Sequence, residues 1–215
     1  MPDGAYLKAG RASELLPKGS KGERTRRRIM DATNALLAER PFADIRITDI
    51  ARAADIVQPN FYTYFPSVEA VVLALAKEIS ADALGVHIQP DWRGEAGLAH
   101  ARGLVAAGIE FWTRHREIFS IVNLLADKRR GEFAAVRVRQ VRAIYKGFEA
   151  KVRDAQAAGA ISPAVTPRLA GYECVALLSS AGIRCELMLA SGFSREQVIE
   201  TTARLLHLIA TGGTA

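Results

Sequence analysis

Apolar side chains return every three or four positions along most of the chain after residue 20, the interval of helices with one buried face. A first helix is expected from Ser20, because Ser20-x-x-Glu23 has the spacing at which a hydroxyl and a carboxylate satisfy amides that the first turn leaves open. Its stripe is Ile29, Ala32, Thr33, Leu36 and Leu37, with Arg26, Asp31 and Asn34 off it. It ends near Arg40, since Pro41 cannot continue a helix and disfavours helical geometry in the residue before. A short helix is expected to open at Thr48, its hydroxyl acting as the cap, with Ile50, Ala51 and Ala54 turned inward. The turn Asp55-Ile56-Val57 leads to another short helix, from about Gln58 to Tyr64, with Phe61 and Phe65 on its buried face. Ser67 then caps a fourth helix that runs through Val71, Val72, Leu75 and Ile79 toward Leu84.

The spacing predicts helices through the remainder as well. Val86 to Gly94, with Pro90, Asp91 and Gly94, reads as a loop. Leu98, Arg102, Val105, Ile109 and Trp112 mark the next helix, and Ile118, Ile121, Val122 and Leu125 a shorter one after a break at Arg114-His115-Arg116. A long helix from Glu132 to about Ala158 turns Val141, Ile144, Tyr145, Phe148 and Val152 inward. Its outer side carries Arg139, Arg142, Lys146 and Arg153, read as a solvated face in preference to a second nucleic-acid patch. Gly159 and Pro163 end it. The last two helices, near Pro167–Ala190 and Arg195–Ala210, are apolar over most of their circumference, from Leu169, Tyr172 and Val175 to Leu205, Leu206 and Ile209. Such a pair needs partners on more than one side. The same pair from a second copy would supply them in a two-fold four-helix interface, and one thick monomeric core is the alternative.

The chemistry of the first 70 residues points to double-stranded DNA. On the second short helix Gln58, Pro59, Asn60 and Thr63 face outward, flanked by the hydroxyls of Tyr62 and Tyr64. Polar side chains of this reach read base edges while hydroxyls hold phosphates. Phe61-Tyr62-Thr63-Tyr64-Phe65-Pro66-Ser67, preceded by Asp49-Ile50-Ala51, resembles the DNA-binding signature of TetR-type bacterial repressors. The stretch from Leu36 to Val72 is similar to the ethionamide-regulator branch of that family. The resemblance implies an all-α protein, with an N-terminal three-helix helix-turn-helix DNA-binding domain at 20–66. A C-terminal helical ligand-binding and dimerisation domain follows at 67–215. Residues 1–19, which mix Gly, Pro, Ala and scattered charges without period, read as a disordered basic arm. The resemblance further implies a homodimer that binds a palindromic operator and is released by a hydrophobic small molecule. DNA contacts are expected from Arg26, Arg27, Thr48, Gln58, Pro59, Asn60, Tyr62, Thr63, Tyr64 and Ser67. Three positions depart from the family pattern: Asp55 replaces a turn glycine, Val57 a capping serine and Val68 a phosphate-contacting lysine.

Charge agrees with an anionic partner without identifying it. The net charge is +6 and the pI near 9.6, values that would also suit a membrane surface or an acidic protein. Between Lys18 and Arg28 six cations face one carboxylate, read either as a solvated helix start or as an arm lying on DNA. Cys174 and Cys185 would stand about 16 Å apart on a shared helix, beyond a disulfide, and read as small buried hydrophobes of a reducing cytoplasm, with a redox sensor as the alternative. No signal peptide is visible. The longest apolar run, Cys174 to Ile183, falls short of the roughly 20 residues a membrane span needs. Enzyme motifs are missing: no phosphate-cradling glycine loop, no G-x-S-x-G, and a His115-Arg116-Glu117 triplet without the P-C-x-x-C of zinc deaminases. His87, His100, His115 and His207 form no i, i+4 pair. No catalytic residue, metal or cofactor is expected.

Three apolar faces meet in the second half. Val105, Gly108, Ile109 and Trp112 lie on one, Val141, Ile144, Tyr145 and Phe148 on another, and Cys174, Leu177, Leu178 and Ala181 on a third. They can fill one another or leave a cavity, and the small residues interleaved at Ala101, Gly108, Cys174 and Ala181 favour a cavity for an extended apolar ligand. Tyr145 or Ser179 would offer it hydrogen bonds. The alternative is a constitutive DNA-binding dimeric scaffold whose body holds no ligand.

Overall fold

The computed structural model describes residues 19–83, 91–129 and 131–213, and all regular structure among them is helical. In chain order these are α1 (Lys21–Glu39), a 3-10 turn (Phe42–Asp44), α2 (Ile47–Ala53), α3 (Gln58–Tyr64), α4 (Val68–Ala83) and α5 (Gly94–Arg129). Then come α6 (Glu132–Ala157), α7 (Pro167–Ile183), α8 (Cys185–Ala190) and α9 (Arg195–Thr211). The all-α class holds. The expected basic arm, Gly19 apart, lies outside the described residues. The chain divides into two compact units, Met1–Ala81 with Glu117–Arg137 and Asp82–Arg116 with Val138–Ala215.

In the first unit α1 starts where the capping spacing puts it. Ser20 Oγ accepts the Glu23 amide at 3.1 Å, while the Glu23 carboxylate reaches back to the amide of Gly19 rather than that of Ser20. Ile29, Thr33 and Leu37 are buried as the stripe requires, and so is Met30, which the stripe omitted. Thr33 tolerates burial because its hydroxyl donates to the Ile29 carbonyl at 2.8 Å. Ser67 caps α4 as expected, accepting the Ala70 amide at 3.3 Å. Val71 and Val72 of α4 are buried, as are Ile118, Phe119 and Val122 of α5 in the same unit.

One expectation for the second unit needs correction and one needs an addition. Residues 91–93 belong to the expected loop, of which 86–90 lie outside the described residues, but Trp92 in it is also a core residue. It is 2% exposed and meets Phe148 edge-on at 5.0 Å and His100 at 5.5 Å. A lone indole between Asp91 and Arg93 carries no periodicity, so spacing could not find it. The expected single helix Pro167–Ala190 is two: Arg184 leaves helical geometry (φ −101°, ψ 5°) and separates α7 from α8. No proline marks the break and apolar residues continue through it, which is why spacing merged the two. Cys174 and Cys185 thus stand on different helices, both buried and free.

The remaining boundaries follow local chemistry. α5 bends at His115 (φ −121°, ψ 15°), inside the expected Arg114–Arg116 break. Gly159, at φ 73°, ends α6 with paired 2.9 Å bonds from its own amide to Gln156 and from the Ala160 amide to Ala155. The core of this unit joins Trp92, Leu98, Val105 and Ile109 to Phe148, Cys174, Leu178 and Leu206. Helices α6 and α7 meet backbone to backbone at Gly171, where an added Cβ would sit 2.5 Å from the Tyr145 carbonyl oxygen. Gly171→Ala is therefore expected to cost about 1–3 kcal/mol as the helices are forced apart. Gly103 in α5 has nothing within 4 Å of the same position, so Gly103→Ala should add roughly 0.5–1 kcal/mol through helix propensity. Denaturant unfolding of the two variants should shift in opposite directions.

Candidate nucleic-acid interface

Helices α2 and α3 have seven residues each, whereas isolated helices shorter than ~12–15 residues are marginal in water, so neighbours must hold both. Asp49 fixes the first. One carboxylate oxygen accepts the Arg46 amide at 3.2 Å and the Arg40 guanidinium at 3.2 Å, joining the end of α1 to the start of α2. This corrects the role given to Thr48. Because Asp49 satisfies the Arg46 amide, the N-cap falls on Arg46 and α2 begins at Ile47, leaving Thr48 exposed inside the first turn.

The turn into α3 adopts the geometry its residues predict. Asp55 has φ 52°, the one non-glycine residue among those described in the left-handed region, and Arg28 lies 3.8 Å from its carboxylate. Aspartate enters that region more easily than most residues, which is how the turn survives without glycine. Val57 is the N-cap of α3, 65% exposed and unable to offer a side-chain bond. What seats the helix is burial: Phe61 is 0% and Phe65 3% exposed, their rings 6.2 Å apart.

With those rings inward, Gln58, Pro59, Asn60, Tyr62 and Thr63 are all exposed, while Tyr64 and Ser67 are half-buried. Helix α3 therefore presents a continuous polar face of amide and hydroxyl groups. The two basic residues expected beside it are engaged. The Arg26 guanidinium lies over the Phe65 ring at 4.8 Å and points one nitrogen at Met30 Sδ, while Arg27 pairs with Asp31 and Glu78, both at 2.8 Å. Arg26 is thus a lid on the seat of α3. Two cations that the spacing argument passed over are more available: Arg46 is exposed, and the Arg52 side chain is 81% exposed with Asp49 4.0 Å away. Their signal was their place at the two ends of α2.

The residues expected to hold a ligand lie in the other unit. Val105, Ile109, Phe148, Cys174, Leu178 and Ala181 are buried in one cluster, with Ile144 and Leu177 packed against it. Trp112 and Val141 are half-buried. Gly108 abuts Leu178, whose Cδ1 is 2.9 Å from where a Cβ would stand, and the Trp112 ring covers Gly182 at 2.3 Å by the same measure. Tyr145 is 7% exposed and stacks on Tyr172 at 4.5 Å. Burial pushes the Cys174 thiol up to about 12.

Two family models match the chain. Residues 29–75 match the bacterial regulatory proteins of the tetR family, and residues 85–215 the tetracyclin repressor-like C-terminal domain. The chain belongs to the TetR family. Among characterised relatives, the HTH-type transcriptional regulator EthR of Mycobacterium tuberculosis is 41% identical over 69 residues, 30% of this chain and 32% of that protein. EthR of Mycolicibacterium smegmatis is 47% identical over 47 residues, 22% of each chain. The matched stretch thus spans about a third or less of these relatives' length. A tetR-family regulator from Streptomyces coelicolor superposes with a TM-score of 0.66 at 16% identity, covering 87% of this chain and 80% of that one. A putative TetR-family regulator from Syntrophomonas wolfei gives 0.61 at 13% identity, covering 88% and 96%. At such identities the likeness is one of fold.

Among the described residues of this TetR-family chain, no group of three or more His, Cys, Asp or Glu could hold a metal ion. No described helix is long and apolar enough to cross a membrane. The turn and cap are open to direct measurement. Val57→Ser should stabilise α3 by about 1 kcal/mol and slow hydrogen exchange of the amides between residues 58 and 65. Asp55→Val should lose about 1–2 kcal/mol, since a branched side chain resists positive φ, while Asp55→Gly keeps the fold.

Proposed function

We propose that this protein is a dimeric, ligand-responsive repressor, a cytoplasmic regulator rather than an enzyme, whose two α3 helices read a palindromic operator. The observation that carries the reading is the exposed face of Gln58, Asn60 and Thr63 standing over the buried Phe61. In this reading Gln58, Asn60 and Thr63 contact bases, with Pro59 against the groove wall. Thr48, Tyr62, Tyr64, Ser67, Arg46 and Arg52 contact the backbone, and Arg27 joins them by leaving its carboxylates. The identity to EthR around this head supports kinship with the ethionamide-regulator branch.

Dimerisation through α7 and α9 draws support from their outer faces. Leu169 (58% exposed) and Ile183 (52%) on α7, with Leu205 (42%) and Leu208 (45%) on α9, are large apolar side chains open to water. A second copy of the same pair would cover them. The two heads would then meet successive major grooves about 34 Å apart, or a multiple of that, so a small pivot spoils the register.

The effector in this reading is an apolar molecule that enters among Val105, Gly108, Ile109, Trp112, Val141, Ile144, Tyr145, Phe148, Cys174, Leu177, Leu178 and Ala181. The competing scaffold reading draws on the close packing of that cluster, where Leu178 already lies against Gly108. Linkage separates the two. An effector that weakens DNA binding a hundredfold must bind the operator complex a hundredfold less tightly than the free dimer, a coupling of about 2.7 kcal/mol. Equal affinity for both would leave the scaffold.

DNA readout is tested by two substitutions. Asn60→Ala should change the preferred base at one operator position by about 1–3 kcal/mol, and a selection from random DNA that returns the wild-type motif would remove Asn60 from base readout. Arg52→Ala should instead weaken binding to every sequence and reduce the salt slope by about 0.9. Gly108→Trp must push Leu178 aside, as an effector does in this reading, and should abolish effector binding or mimic it while the dimer persists.

A further inference from the structure

A cleft of about 440 Å³ opens beside α6 and the first turn of α7, within the unit that holds the apolar cluster. Its size falls in the range of small-molecule sites, roughly 300–1,000 Å³. Arg142, Lys146, Glu149 and Arg153 line it at intervals of four, three and four residues, one face of α6, and Arg168 lines it from α7. The backbone approach at Gly171 brings Arg168, almost one turn earlier on α7, to this stripe. Glu149 is already bonded to Arg153. Among the described residues Arg142, Lys146 and Arg168 make no ion pair within 4.0 Å, and Arg168 bonds with Tyr172 and feels the more distant charge of Glu149. The N-terminus of α7 adds to the same sign: Thr166 makes no side-chain cap and no acidic residue stands in the first turn. Four cations, Arg142, Lys146, Arg153 and Arg168, face a single carboxylate, Glu149, around one concavity, which leaves it with an excess of positive charge. An anion placed there would balance the cations that Glu149 alone does not.

Tyr145 is the one uncharged residue that lines the cleft. Its neighbours on α6, Ile144 and Phe148, pack against and into the apolar cluster. We propose that the effector is amphipathic, an apolar chain ending in a phosphate or diphosphate group, with the chain among the cluster residues and the phosphate held by Arg142, Lys146 and Arg168. A phosphate fits better than a carboxylate because a single carboxylate would leave most of the positive charge and most of the volume unused. This rests on the sensor reading above, and its test is built so that the two can fail separately.

Calorimetric titration of the full-length protein with octyl phosphate, octanol, octanoate and inorganic pyrophosphate tests it. The expected result is octyl phosphate binding at least tenfold more tightly than octanol and more tightly than octanoate, with pyrophosphate alone binding once per chain. In Arg142→Ala/Lys146→Ala the advantage over octanol should disappear. The exposed pair Arg184→Ala/Arg195→Ala, which removes the same charge away from the cleft, should keep it. Octanol and octyl phosphate binding equally well would overturn the phosphate site while leaving an apolar effector. Pyrophosphate binding that vanishes in the cleft variant while neither octyl compound binds would keep the anion site and remove the apolar one. If the cleft variant instead weakens DNA of every sequence and leaves pyrophosphate binding unchanged, the cleft is a second DNA contact and the proposal falls.

Discussion

The burial of Phe61 and Phe65 is the contact on which the DNA-reading surface depends. Helix α3 is too short to hold itself, its N-cap is a valine, and its entry turn places an aspartate at positive φ. Each of these weakens the element locally. Two aromatic side chains removed from water contribute several kcal/mol, more than a missing cap takes away, and the Arg26 guanidinium closes over the second ring. The outward direction of Gln58, Asn60 and Thr63 follows from that anchoring, because a seven-residue helix with Phe61 and its C-cap Phe65 both fixed inward has no freedom left to rotate.

Most of this head was legible in the sequence because its signals are local. Paired aromatics at i, i+4, a polar remainder, Ser67 before an apolar run and Pro41 after one each specify geometry within a few residues. Thr48 was misassigned because two residues there can cap, and the carboxylate of Asp49 competes for the amide that decides the boundary. The engagement of Arg26 and Arg27 was illegible for another reason. Their partners include Phe65 and Glu78, residues 39 and 51 positions away, and nothing in a run of basic residues tells a free cation from a paired one.

The body was legible in outline and less so in detail. Spacing found the helices and the inward faces of α5, α6 and α7, because the same period governs all of them. It missed Trp92, whose burial is purely tertiary, and the break at Arg184, which no proline marks. The outer cations of α6 were read as a solvated face, as most such rows are. Folding sets Arg168 beside them through a glycine contact 26 residues from Tyr145, a proximity that no pattern within one helix contains.

Cys174 gives the body a reporter of its own opening. The thiol is fully buried and its pKa lies near 12, so at neutral pH it is neither accessible nor ionised, and alkylating reagents can reach it only through molecules whose cluster has come apart. The rate of its modification therefore measures how often α5, α6 and α7 separate. In a sensor that admits its effector between these helices, that breathing rate sets the ceiling on how fast the protein can respond, independent of how tightly the effector is held once inside.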